Sequence, residues 1–301
     1  MMRIPALLPT VTAAVLAAGP AAHASDHNSD QQVAADPRGT VEVSNFSGRV
    51  EVTGWDKPQV SVHSVLPMGD THVDVHSEHG RTTITVRFPG PWAGGGEADL
   101  KIQIPRGSEL DVTSVSADVN STGVLGMQRL KTVSGKIKAE FAQADVEAKT
   151  VSGDVSLKGD RKPAHVHASS ISGSIRIEHG AGDVEATTVS GDLNMQLEPG
   201  RSVRTRTTSG HTFIQGALAG SADLDAQSVS GDIKLHAAPE GGYEYEVSTF
   251  SGSIRDCFNQ EPERTNRYGP GERLNGRRGN NGGGHVRLKT MSGAIDLCDK
   301  P

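Results

Sequence analysis

Four groups of residues in this 301-residue chain have types and spacings that could do chemistry. The first is a series of Ser-Gly-Asp corners, as in Val151-Ser152-Gly153-Asp154-Val155 and Val189-Ser190-Gly191-Asp192-Leu193. Repeated aspartates could hold calcium, as nine-residue Gly-Gly-x-Gly-x-Asp repeats do. Here the period is twice that and aspartate skips alternate copies, so the carboxylates do not converge. The serines lack the Gly-x-Ser-x-Gly setting of a nucleophile elbow. The second group is His165 and His167, which flank Val166 and face one side of a strand about 6.8 Å apart. Two such imidazoles could share a transition metal, but no third ligand stands nearby in sequence. His72 and His76 share a face too, at a separation of about 13 Å, too far for one ion.

The third group is basic. Arg264, Arg267, Tyr268, Arg273, Arg277 and Arg278 lie with the run Gly282-Gly283-Gly284 in an insertion spanning 258–285. A basic loop on an acidic body could bind an anionic envelope polymer or an acidic partner protein. The fourth group is Cys257 and Cys298, the only two cysteines.

These residues are positioned by a repeat. Motif serines from Ser116 to Ser251 lie 18, 18, 20, 18, 19, 21 and 21 residues apart, with further copies at Ser47 and Ser292. A period near 20 marks a solenoid in which each repeat is one coil. Apolar residues stand three and five places after the serine (Val155 and Leu157, Ile175 and Ile177), and six and four before it (Val146 and Ala148, Val184 and Ala186). Each pair reads as a half-buried strand. The inward parity changes between the two strands, so the chain turns at Ser-Gly, where glycine tolerates angles other residues resist. The apolar residue just before the serine (Val151, Ile171, Val189) and its hydroxyl neighbours cannot all point inward.

In-register coils stack equivalent residues about 4.8 Å apart. Two places after the serine stand Asp118, Lys136, Asp154, Ser174, Asp192, His211 and Asp232, with no two aspartates on neighbouring coils. Five places before it stand Glu147, His167, Glu185, Arg204, Asp225, Glu246 and Arg287, which puts Arg204 between two acids and Arg287 after Glu246. Like charges directly opposite destabilise a ladder, so such spacing fits coils in register. Six places after the serine, the last two coils carry Cys257 and Cys298. Neighbouring coils are within disulfide reach, and a Cys257–Cys298 bridge is expected.

The ends and the composition bound the class. Arg3, an apolar run from Ile4 to Ala18 and Ala22-His23-Ala24 read as a secretory signal over residues 1–24, with a mature start near Ser25. Residues 25–37 read as a polar tether, residues 38–112 as an irregular β cap, and residues 113–298 as the repeats. The expected fold is all-β: a parallel, right-handed β-solenoid of about 18–21 residues per coil with an N-terminal cap. No transmembrane segment follows the signal. The net charge of −6 argues against nucleic acid. With aromatics at 4% and 36 glycines, thin stacked coils fit better than a thick globular core.

The opening Gly39-Thr40-Val41-Glu42-Val43 through Phe46-Ser47-Gly48 to Gly54-Trp55, the strand end Ile102-Gln103-Ile104-Pro105 and the Thr-Val-Ser-Gly-Asp series resemble the bacterial β-strand-repeat envelope proteins labelled "putative adhesin". The resemblance covers roughly residues 38–298. It implies an exported β-solenoid with no catalytic residues to carry over. The Gly-rich insertion and the cysteine pair look like additions to the shared pattern.

The expected function is a non-enzymatic binding or scaffolding protein of the cell envelope, periplasmic or extracellular, without a cofactor. The alternative is a polysaccharide-active β-helix enzyme, which would need acids and bases gathered in a groove, whereas coils this short leave little loop to build one. A metal-responsive envelope protein using His165 and His167 is a third reading.

Overall fold

A computed structural model describes residues 27–67, 70–88, 96–218, 221–238, 242–258, 260–265, 270–279 and 283–298. Among them the strands run, in chain order, β1 (His27–Ala34), β2 (Thr40–Trp55), β3 (Gln59–Leu66), β4 (His72–Glu78), β5 (Arg81–Arg87), β6 (Ala98–Pro105), β7 (Glu109–Thr122), β8 (Gln128–Lys131), β9 (Ile137–Phe141), β10 (Val146–Lys149), β11 (Val155–Gly159) and β12 (Pro163–Ser170). They continue as β13 (Ile175–Ser190), β14 (Leu193–Leu197), β15 (Ser202–Ser209), β16 (Thr212–Ala217), β17 (Asp223–Ser230), β18 (Ile233–Ala238), β19 (Tyr243–Ser251), β20 (Ile254–Asp256), β21 (Glu263–Arg264), β22 (Glu272–Arg278), β23 (Gly284–Ser292) and β24 (Ile295–Cys298). No helix among the described residues is long and apolar enough to cross a membrane.

Each coil contributes one strand segment before its Ser-Gly corner and one after it. The segments before the corner form a parallel ladder running β2, β7, β8, β10, β12, β13, β15, β17. Those after it form a second, running β2, β7, β9, β11, β13, β14, β16, β18. The inward residues of both close a single core: Val146, Ala148, Val155 and Leu157 in one coil, Val166, Ala168, Ile175 and Ile177 in the next, each no more than 2% exposed.

The corner is the repeating device. The buried Thr150 hydroxyl accepts the Gly153 N–H at 3.0 Å and donates to the Gly135 carbonyl of the preceding coil at 3.3 Å. Ser170 repeats both bonds, to Gly173 at 2.8 Å and Gly153 at 3.2 Å. The Val133 carbonyl accepts the N–H groups of Val151 at 3.1 Å and Ser152 at 2.9 Å. Glycine is needed at these corners for room. A Cβ on Gly153 would stand 1.8 Å from the Gly135 carbonyl oxygen, and one on Gly173 would stand 1.7 Å from that of Gly153. Torsional freedom, the reason expected from the sequence, applies further along, where Gly210 has φ +143°.

Three expectations need correction. Residues 27–34, expected within a loose tether, form β1, which pairs antiparallel with β3. The segment is held by backbone bonds, by the packing of Val33 against the core and by polar contacts: His63 Nδ1 lies 2.6 Å from Asp30, and the Gln31 amide donates to the Val73 carbonyl at 2.7 Å. The described part of the 258–285 insertion is largely strand: β22 pairs antiparallel with β19, and β21 pairs with β22. Its ladder bonds come from the open edge that β19 would otherwise present.

The third correction concerns coil order. The β23–β24 coil does not follow the β19–β20 coil in the stack. It lies between that coil and the β17–β18 coil: β23 pairs with β17 on one side and β19 on the other, and β24 pairs with β18 and β20. Charge explains why. Stacking in chain order would set Asp225 on Glu246 and Lys234 on Arg255. Insertion instead gives Asp225, Arg287, Glu246 in one column and Lys234, Asp296, Arg255 in another. His285 likewise separates Asp223 from Glu244.

The N-terminal end shows the same weave. The first coil, β2, lies between β7 on one side and the later strands β5 and β6 on the other. Antiparallel strands then cover the outer edges, β4 on β5 and β3 on β6.

Candidate functional site

The aspartates belong to the backbone. Asp118 accepts the Lys136 N–H of the next coil at 2.8 Å, Asp154 that of Ser174 at 3.0 Å, Asp192 that of His211 at 2.8 Å, and Asp232 that of Ala294 at 2.8 Å. Each carboxylate spans to the following coil, so an acid on alternate coils completes the pattern.

His165 and His167 lie on one face of β12, but each turns to an acid on the next coil. His165 Nε2 is 3.4 Å from Asp183 and His167 Nδ1 is 3.4 Å from Glu185. Among the described residues no group of three or more His, Cys, Asp or Glu side chains could hold a metal ion. Elsewhere in that charged column, Lys149 hydrogen-bonds Glu147 and holds its carboxyl below the usual range.

Cys257 and Cys298 form a disulfide with their Cα atoms 5.1 Å apart. It ties the end of β24 to the residue just after β20, fastening the inserted coil to its outer neighbour.

The basic insertion is drawn into intramolecular pairs. Arg277 pairs with Glu244, lowering the pKa of that carboxyl, and Arg273 lies 3.4 Å from Glu246. The Arg278 guanidinium sits 3.5 Å from the centroid of the Phe258 ring. Arg264 stands on β21 opposite Glu272 of β22. Arg267 and Tyr268 lie outside the described residues. Beneath β22, burial raises the Tyr245 phenol, whose hydroxyl donates to Gln260 Oε1 at 2.8 Å. Within the described part of the insertion, Arg273 and Arg277 are thus held by Glu246 and Glu244, and Arg278 by an aromatic ring.

The surface that sequence reasoning left open is the apolar position before each motif serine. It points outward. In stack order the column begins Phe46, Val115, Val133, Val151, Ile171 and continues Val189, Thr208, Val229, Met291, Phe250. The apolar members are 39–66% exposed. At nine steps of about 4.8 Å the ridge is roughly 43 Å long. On one side runs the unbroken row of motif serines. On the other, three places before the serine, runs a row containing Lys131, Lys149, Arg206 and Lys289 and no acid. Along the regular coils the carbonyls of Val115, Val133 and Val151 each accept two N–H groups of the next coil, so the backbone there is satisfied and the side chains can meet a partner without exposing unpaired groups. The sequence carried the signal in the hydroxyl residues that flank the apolar letter in the regular coils: the inner one faces the core to bond glycine, as Thr150 and Ser170 do, which turns the apolar one out.

The sequence model of a family described as Toastrack DUF4097 matches residues 37–215. The woven C-terminal coils and the disulfide lie beyond that match. Among solved structures, a "putative adhesin" from Parabacteroides merdae is 12% identical with a TM-score of 0.55, the match covering 90% of this chain and 95% of that one. A "putative lipid binding protein" from Parabacteroides distasonis is 12% identical with a TM-score of 0.50, covering 90% of this chain and 96% of that one. At such identity these likenesses establish the fold alone. No curated protein matches the chain.

Proposed function

The chain belongs to the Toastrack DUF4097 family, and from that premise we propose that it is a non-enzymatic protein that binds or scaffolds at the bacterial cell envelope. The observation that carries this reading is the exposed apolar ridge. Nine exposed apolar side chains in one column of ten, broken only at Thr208, mark an interaction site. Many of the residues that could do chemistry, in contrast, are already engaged: aspartates with backbone N–H groups, His165 and His167 with acids, Arg273 and Arg277 with glutamates. The contact face therefore moves from the basic insertion to the ridge. The names given to the two structural neighbours, an adhesin and a lipid binding protein, are compatible with a contact role and are not evidence of one here.

Export supports the same reading. Arg3, the apolar run to Ala18 and Ala22-His23-Ala24 fit a cleaved secretory signal, and the disulfide suits an oxidising compartment. The working location is the periplasm or the cell exterior.

Sedimentation of the chain with purified envelope fragments tests the ridge. Val133→Glu combined with Ile171→Glu places charges on non-adjacent coils, so the new carboxylates do not stack on each other. Retention is expected to fall by about tenfold, a change of about 1.4 kcal/mol, with circular dichroism unchanged. Equal retention by the folded double variant overturns the assignment.

A further inference from the structure

We propose that the last five coils of the ridge form a binding groove for a single acyl chain carrying an anionic headgroup. The inference rests on the ridge being the contact face, and it names the ligand class for one part of it.

From Val189 to Phe250 the ridge borders a groove of about 730 Å³. This lies within the usual range of small-molecule sites, about 300–1,000 Å³. Four inter-coil steps make it roughly 19 Å long, enough for an extended chain. One wall is mainly apolar, from Val189, Val229, Met291 and Phe250, with Thr208 between the first two. The other carries Arg206 and Lys289, on coils either side of Gln227. Thr265 of the insertion stands at one end.

Charge selects the ligand. The chain has 36 acidic and 30 basic residues, yet among the described residues no carboxylate lines this groove. Arg206 lies 3.6 Å from Glu185, outside the lining, and Lys289 makes no ion pair among the described residues. An apolar wall facing two cations fits a molecule with a hydrocarbon body and one negative end.

The corner geometry changes where the groove opens. In the regular coils the floor hydroxyl bonds glycine, as Thr150 and Ser170 do. On the groove floor, Thr207 Oγ1 and Ser228 Oγ are buried without a hydrogen-bond partner. The glycines of those corners, Gly210 and Gly231, have φ of +143° and +159°. A monomeric amphiphile fits better than a bilayer surface, because the cationic row continues to Lys149 and Lys131 but the groove occupies only this end of the ridge, with Thr265 at one end.

The test is titration of the full disulfide-bonded chain with 11-(dansylamino)undecanoic acid, followed by displacement with palmitate or hexadecanol. Saturable binding with a blue-shifted emission is expected, with palmitate displacing the probe about tenfold better than hexadecanol. Arg206→Gln with Lys289→Gln should abolish that preference and leave hexadecanol unchanged. Val229→Ser with Met291→Ser should weaken both competitors. Val133→Glu with Ile171→Glu lies outside the groove and should leave probe binding intact, so loss of envelope retention and loss of amphiphile binding can be told apart. Absence of saturable binding, equal displacement by the acid and the alcohol, or insensitivity to the Arg206 and Lys289 changes overturns the proposal. So does binding to phosphatidylglycerol vesicles without displacement by monomeric palmitate.

Discussion

At the scale of single residues, the corner shows how one position serves several bonds. Thr150 gives and accepts a hydrogen bond across two coils, and Asp154 caps an N–H of the next coil. The glycine between them is fixed by backbone contact. Gly153→Ala would place a Cβ 1.8 Å from the Gly135 carbonyl oxygen, a backbone atom that cannot rotate out of the way. It should destabilise the fold by about 1–3 kcal/mol, read as a lower urea midpoint at unchanged slope. An equally stable variant would mean that the corner can open. The sequence showed that Ser-Gly turns the chain, but it pointed to torsional freedom. Only the approach of the neighbouring backbone reveals that space is the constraint.

At the scale of elements, the two ends are woven rather than stacked in chain order. The inserted β23–β24 coil is held by alternating charge in two columns and by one covalent bond. Arg287→Glu would place three acids in a row, at 225, 287 and 246. The variant should lose about 1–2 kcal/mol, from one ladder pair turned repulsive on each side, with a larger loss at low salt. Chemical denaturation at two ionic strengths measures it, and no salt dependence would count against the charge-ordered insertion. Replacing Cys257 and Cys298 by serine removes a crosslink between residues 41 apart. On chain-entropy grounds the cost is about 4 kcal/mol, and differential scanning calorimetry of the serine pair against the oxidised protein checks it. The cysteine pairing was legible in the sequence because the two coils are neighbours in either order. The insertion is only hinted at in the sequence, by the like charges that Asp225 and Glu246 would bring together if coils stacked in chain order.

At the scale of the whole molecule, a long parallel stack must protect its ends, because unpaired strand edges recruit other chains. Antiparallel strands do this here, with β4 on β5 and β1 on β3 at one end and β22 on β19 at the other. Deleting residues 27–34 exposes the edge of β3 and should increase self-association, seen by light scattering. A deletion variant with the same mass distribution as the full chain would show that β1 has no protective part. The sequence by itself determined the all-β class, the coil period, the inward columns and the disulfide, because each follows from local alternation repeated at a fixed interval. Tertiary structure decided the order of the terminal coils and the recruitment of β1 and β22 as edge strands, and it resolved the outward turn of the apolar ridge, at which the flanking hydroxyl residues only hint. The physical reason is that a ladder's hydrogen bonds are the same for any neighbour of matching register. Which coil lies beside which is therefore settled by side chains brought together from distant parts of the chain.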